Sequence, residues 1–179
     1  MTDEMRTHDG HITENTYQIS YCFRILRSSL SRMDTHGYRR MINGFNKVIV
    51  GLQRAGITFG QMQLLTVRGR RTGQLRTFAI AVNELDGDRY IFQAFPKAAW
   101  VANARAADTV TLTRGRKSST ARLVEVPVEE RRPLLRTLVT TSPARVGKIF
   151  VNSGLAEAPS PDAMAAAAPR IAIFRVEPA

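Results

Sequence analysis

Arg68-Gly69-Arg70-Arg71-Thr72-Gly73-Gln74-Leu75-Arg76 is a basic, glycine-punctuated stretch between two apolar runs. Met62 to Val67 upstream and Leu75 to Val82 downstream both read as strands, so the stretch is a hairpin tip. It is not a nucleotide-triphosphate loop. The Gly-x-x-x-x-Gly-Lys-Ser/Thr order is missing, and the chain continues into a strand where that loop would enter a helix. Charge around the tip is one-sided: no Asp or Glu occurs from Thr35 to Asn83, a span holding Arg39, Arg40, Lys47, Arg54, Arg68, Arg70, Arg71 and Arg76. Such a field concentrates anions. Glycine-allowed curvature exposes backbone amides, Thr72 adds a hydroxyl, and Arg71 and Arg76 add charge, which together suit a phosphate. A solvated basic tip would look the same in sequence.

Beyond the tip, Asp86-Gly87-Asp88 reads as a tight turn leading to a third strand, Arg89 to Phe95. A short helix, Ala98 to Ala106, follows Pro96. Thr109 to Thr113 and Ser119 to Val126 read as strands four and five around a second basic turn, Arg114-Gly115-Arg116-Lys117. A helix from Val128 to Thr137 opens on Glu129 and Glu130, where acids complement the helix dipole. Gly154 to Pro161 reads as loop and Pro169 to Val176 as the sixth strand. Six short, mostly antiparallel strands with helices at the ends imply a small barrel, mainly β within an α+β chain.

Before the barrel, Met41, Ile42, Phe45, Val48, Ile49 and Leu52 recur at helical spacing, so residues 38–55 read as an amphipathic helix. Its apolar face suits the domain core, the commoner use, or an anionic membrane surface. Residues 1–15 are polar and read as a mobile tail, and 16–37 as a partly helical extension, leaving 38–179 as the barrel domain. His8 and His11 lie in the tail without a third ligand, so no metal site is expected.

The net charge of +11 is carried mainly by arginine: of 26 basic residues only Lys47, Lys97, Lys117 and Lys148 are lysine. Planar guanidinium forks favour phosphate and carboxylate. Cys22 is the sole cysteine, which excludes an intrachain disulfide and fits a reducing cytoplasm. No signal-like segment or spanning apolar run is present, so a cytoplasmic protein, at most peripherally membrane-associated, is expected. Hydrolytic chemistry is poorly supplied. His36 is the only histidine outside the tail, and the Asp86/Asp88 and Glu129/Glu130 pairs have turn and capping roles. A chain this poor in acid, base and nucleophile either only binds or uses a cofactor, which points to redox chemistry.

Phe45-Asn46-Lys47, the run Leu64 to Thr77, Gly87-Asp88-Arg89-Tyr90, the region Lys97 to Asn103 and the close Ala168-Pro169-Arg170 to Pro178 resemble the deazaflavin-dependent nitroreductases. These are split β-barrel proteins that use coenzyme F420. The resemblance implies that the cofactor's phosphate and acidic tail meet Arg71, Thr72, Gly73 and Arg76, with Arg70, Gln74 and Thr77 beside them. It places the deazaflavin end at Lys97, Trp100 and Asn103, near Ala94; read from the residues alone, Trp100 equally suits a plug for the barrel end, with Asn103 capping or hydrogen-bonding locally. The family's Gly-Gly loop and Ala-Trp-Tyr-His-Asn run are here Ala94-Phe95-Pro96-Lys97 and Ala99-Trp100-Val101-Ala102-Asn103. Tyr90 is a proton donor by type. The implied reaction is hydride transfer to a small apolar or electron-poor acceptor such as a quinone, enone or nitro compound. Related split barrels often pair, so a homodimer is one expected state. Alternatives are a member of the fold that binds FMN, haem or a lipid, and a basic nucleic-acid-binding protein. The last is disfavoured because few aromatics interleave with the basic residues.

Overall fold

The computed structural model describes residues 50–51 and 60–179. The tail, the extension and nearly all of the expected helix 38–55 lie outside the described residues, as does the expected domain boundary at 38. The barrel belongs to a compact unit of residues 46–179.

Six strands, β1 (Met62–Arg68), β2 (Leu75–Leu85), β3 (Asp88–Phe92), β4 (Val110–Arg114), β5 (Lys117–Glu125) and β6 (Ile173–Pro178), close a barrel in the order β1-β2-β3-β6-β5-β4. Every pairing is antiparallel. Three tight turns do the local work. Gly69 N donates to Gln74 O and Gly73 N to Gly69 O, both at 2.8 Å, which closes the β1–β2 tip. Asp86 and Gly87 take φ of 52° and 85°, the positive values a two-residue hairpin turn requires. Gly115 turns β4 into β5 at φ 58°.

Alternation decides what fills the barrel. Leu65, Val67, Ile80, Val82, Ile91, Val110, Leu112, Ala121, Phe174 and Val176 form one buried cluster. It is closed at one end by α1 (Ala99–Ala104), which contributes Trp100, Val101 and Ala104. The Trp100 ring meets Phe174 edge-on, centroids 5.5 Å apart. A second cluster packs outside the barrel, where Tyr90, Phe92, Ile171 and Ile173 meet α2 (Val128–Thr141), α3 (Arg145–Asn152) and α4 (Pro161–Ala166) through Leu135, Leu138, Phe150 and Met164.

Several expectations shift. The third strand stops at Phe92, three residues early, because the chain turns toward Pro96, which has no N–H to give a ladder. The sixth starts at Ile173; Ala168–Arg170 form a 3-10 turn in which Pro169 takes its fixed φ. Helix α2 runs on to Thr141, and α3 was not expected at all. Helices this short are held by packing more than by propensity. A Cβ added at Gly147 of α3 would lie 2.8 Å from Pro159 Cβ, so the glycine permits this close approach. Helix α4 starts as a capped turn: Ser160 Oγ accepts from Ala163 N at 3.4 Å and Pro161 occupies the first turn. In the run Ala165 to Ala168, Ala165, Ala167 and Ala168 are buried, so their small size serves packing.

Candidate functional site

The β1–β2 tip and α1 stand side by side at one end of the barrel and enclose a groove of about 550 Å³. The tip contributes Gly69, Arg70, Arg71, Thr72 and Arg76; the segment Lys97 to Arg105 forms the facing wall. One hydrogen bond joins the walls and another stiffens the tip. The Asn103 side-chain oxygen accepts the Arg70 N–H at 3.3 Å. Arg68 Nη1 donates to Gly73 O at 3.2 Å, bracing the tip from behind. Gly69 is buried, and a Cβ there would meet Gln74 O at 3.1 Å and Arg76 Nε at 3.3 Å.

The lining holds five cations, Arg70, Arg71, Arg76, Lys97 and Arg105, and no carboxylate. Among the described residues only Arg105 of these five has an ion-pair partner. It forms a two-pronged pair with Glu125, both contacts at 2.7 Å. Glu125 also accepts from Arg131 Nη2 at 3.0 Å, and buried Arg131 spends its remaining donors on Val126 O and Ile171 O. The hydrogen bonds from Arg105 hold the Glu125 carboxyl below the usual carboxylate range, burial opposing and the Arg131 charge assisting. Lys97 sits in the left-handed region at φ 55°, uncommon for a residue with a Cβ and a local strain at the groove's rim.

Of the residues expected at the site, Arg70, Arg71, Thr72, Arg76, Lys97 and Asn103 line one groove. Gly73 and Gln74 shape the tip through their main chains. Thr77 lies behind it, its hydroxyl 3.0 Å from that of Thr66. Ala94 packs against the outer cluster. Trp100 turns inward, 7% exposed, and plugs the barrel without lining the groove. Tyr90 is likewise away from it, buried in the outer cluster with its hydroxyl donating to Asp88 Oδ2 at 3.3 Å. Burial and the Asp88 charge push that phenol up.

Sequence reading missed Gln93 and Arg105. Gln93 continues the inward alternation of β3, which was a usable signal; it donates from Nε2 to Phe95 O at 2.9 Å and accepts Ala172 N–H at 3.2 Å. Arg105 carried none, since its partner is twenty residues away.

The F420H(2)-dependent quinone reductase family model matches residues 31–149. The chain belongs to that family. Its cofactor is F420, and the groove fits a polyanionic molecule: its charged lining is wholly cationic, and the absence of a Cβ at Gly69 leaves the tip tightly closed. No curated protein matches the chain significantly. Among solved structures, a protein of unknown function from Agrobacterium tumefaciens is similar at 12% identity and TM-score 0.45, covering 73% of this chain and 53% of its own. The chain thus spans about half the length of that protein. An F420-H2 dependent reductase, FDR-A, is similar at 21% identity and TM-score 0.39, with 65% of this chain and 94% of that one covered. A structure described as a domain-swapped dimer is similar at 22% identity and TM-score 0.42, covering 80% of this chain and all of its own.

Proposed function

We propose that this family member is an F420H2-dependent oxidoreductase acting on a small electron-poor acceptor, a quinone, an enone or a nitro compound. One observation carries the reading: a groove lined by five cations lies beside a wall of small apolar side chains, with no histidine, cysteine or carboxylate in its lining. Such a site is suited to binding and orienting, with the redox chemistry left to a cofactor. F420, when bound and reduced, supplies the hydride.

The chain's own residues bind, orient and exclude water. Arg71 and Arg76 offer paired charge to a phosphate and an acidic tail, with Thr72 adding a hydroxyl donor. Lys97 places a compact positive charge at the other end. Ala98, Ala99 and Ala102, with Val101, leave room for a flat apolar acceptor and keep water from it. Membrane contact through residues 38–55 concerns residues nearly all outside those described; no helix among the described residues is long and apolar enough to cross a membrane. Pairing into a homodimer belongs to the same reading and is checked by analytical ultracentrifugation.

Titrating purified protein with F420, FMN and haem, at low and high salt, tests the proposal. F420 should bind tightest and keep most of its affinity in salt, while binding of a nucleic acid would fall steeply. Preference for FMN or haem would overturn it. Arg71→Ala with Arg76→Ala should weaken F420 binding at least tenfold in a folded protein, and unchanged affinity would leave the tip a mere solvated hairpin.

A further inference from the structure

Among the described residues, the barrel's other end is open and polar. Asp86-Gly87 and Gly115-Arg116 turn the chain there, away from the groove, around a cavity of about 380 Å³ floored by Val82 and Leu112. Barrel interiors of this size are ordinarily filled by apolar side chains. Here the inward alternation continues past the core: Arg89 precedes Ile91, Arg114 follows Leu112, and Lys117 and Ser119 precede Ala121. Among the described residues, three cations therefore meet in one mouth against a single carboxylate, Glu84.

Their arrangement is unfavourable if nothing else is bound. Arg114 and Lys117 are direct cross-strand partners, and like charges directly opposite each other destabilise a hairpin. Glu84 faces Arg89 across β2 and β3, yet among the described residues neither Arg89 nor Lys117 closes an ion pair. Arg114 is steadied by donating from Nη2 to Gly60 O at 3.0 Å, so its charge is held at the rim.

We propose that this mouth is a second ligand site, taking a compact oxyanion: a small phosphorylated or carboxylated molecule. Arg89, Arg114 and Lys117 supply the charge, the Ser119 hydroxyl a neutral donor, and Glu84 an acceptor for a hydroxyl or amine on the same ligand. Phosphate and carboxylate share the chemistry that Arg forks and a lysine recognise. The site lies at the opposite end from the groove and does not depend on the cofactor reading.

The test uses the full chain carrying Arg71→Ala and Arg76→Ala, which weakens anion binding in the groove, and the amides followed report on the mouth alone. Inorganic phosphate and succinate are titrated separately at constant ionic strength, following the Gly115 and Lys117 amides by NMR and the heat by calorimetry. Saturable shifts at millimolar concentration or below are expected, and the tighter probe identifies the oxyanion class. Adding Arg89→Gln and Lys117→Gln should weaken that binding at least tenfold, with Lys117→Gln alone giving part of the loss. Shifts that rise linearly without saturation, or affinity unchanged in both variants, would overturn the proposal.

Discussion

The side-chain oxygen of Asn103 accepts the main-chain N–H of Arg70 at 3.3 Å, tying α1 to the β1–β2 tip across the groove. Asn103 is 6% exposed, so the acceptor end of the bond is shielded from competing water. Asn103→Ala should cost about 1 kcal/mol of stability, the usual net value of one such bond. It should also weaken F420 binding by loosening the tip. Asn103→Asp keeps an acceptor but adds a negative charge, so stability should hold while binding still falls. Thermal melts and fluorescence titrations of the two variants separate these effects; equal destabilisation by both would deny the bond its role.

Lys97 couples strain to charge. Replacing it with glycine relieves about 1 kcal/mol of left-handed strain and costs about 0.5–1 kcal/mol through the freer unfolded chain. Folding stability should therefore barely change, while affinity for F420 drops with the lost cation. Denaturant midpoints beside dissociation constants check this. A large loss of stability would mean that the lysine side chain holds the loop.

The two tip glycines should respond differently to alanine. At Gly73, φ is 68° and a Cβ finds open space, so Gly73→Ala should cost about 1 kcal/mol of backbone strain. At Gly69 the new Cβ presses on Gln74 O at 3.1 Å and Arg76 Nε at 3.3 Å, so the tip's own backbone and a binding arginine must shift to make room. Gly69→Ala should thus weaken cofactor binding more than Gly73→Ala, measured under one buffer. The reverse order would count against a rigid tip.

The Arg105–Glu125–Arg131 cluster predicts an acid limb. Because the folded carboxyl of Glu125 titrates below its unfolded value, the cluster's contribution is present above the unfolded carboxylate range, near pH 4. It is lost as pH falls through the lower folded value. Glu125→Gln should flatten that part of the stability profile. Arg131→Met should be worse at neutral pH, by about 3 kcal/mol, since it strips a partner from a part-buried carboxylate and leaves two main-chain carbonyls unpaired. Chemical denaturation across pH 3 to 7 reads both.

Much was legible locally because local chemistry dictates it. Glycines and a one-sided charge run announce the hairpin from Arg68 to Arg76, and Asp86-Gly87 announces the next turn. Period-two alternation places the strands within a few residues. Trp100 was legible only as a choice between a groove wall and a barrel plug: on a six-residue helix, spacing says that it shares a side with Asn103 but not which way each side chain leans, and the barrel's demand for an apolar plug turned its ring inward.

The sequence alone determined a basic hairpin tip, a chain short of catalytic acids and bases, and strands whose alternate residues are apolar, because each follows from residue type and near-neighbour spacing. Only the tertiary structure decided the β3–β6 closure, the left-handed Lys97, the Arg105–Glu125–Arg131 cluster and the three cations gathered at the open mouth. These join residues far apart in the chain, or depend on a backbone angle imposed by packing. Pattern shows which face a residue occupies. Closing the barrel sets which faces meet.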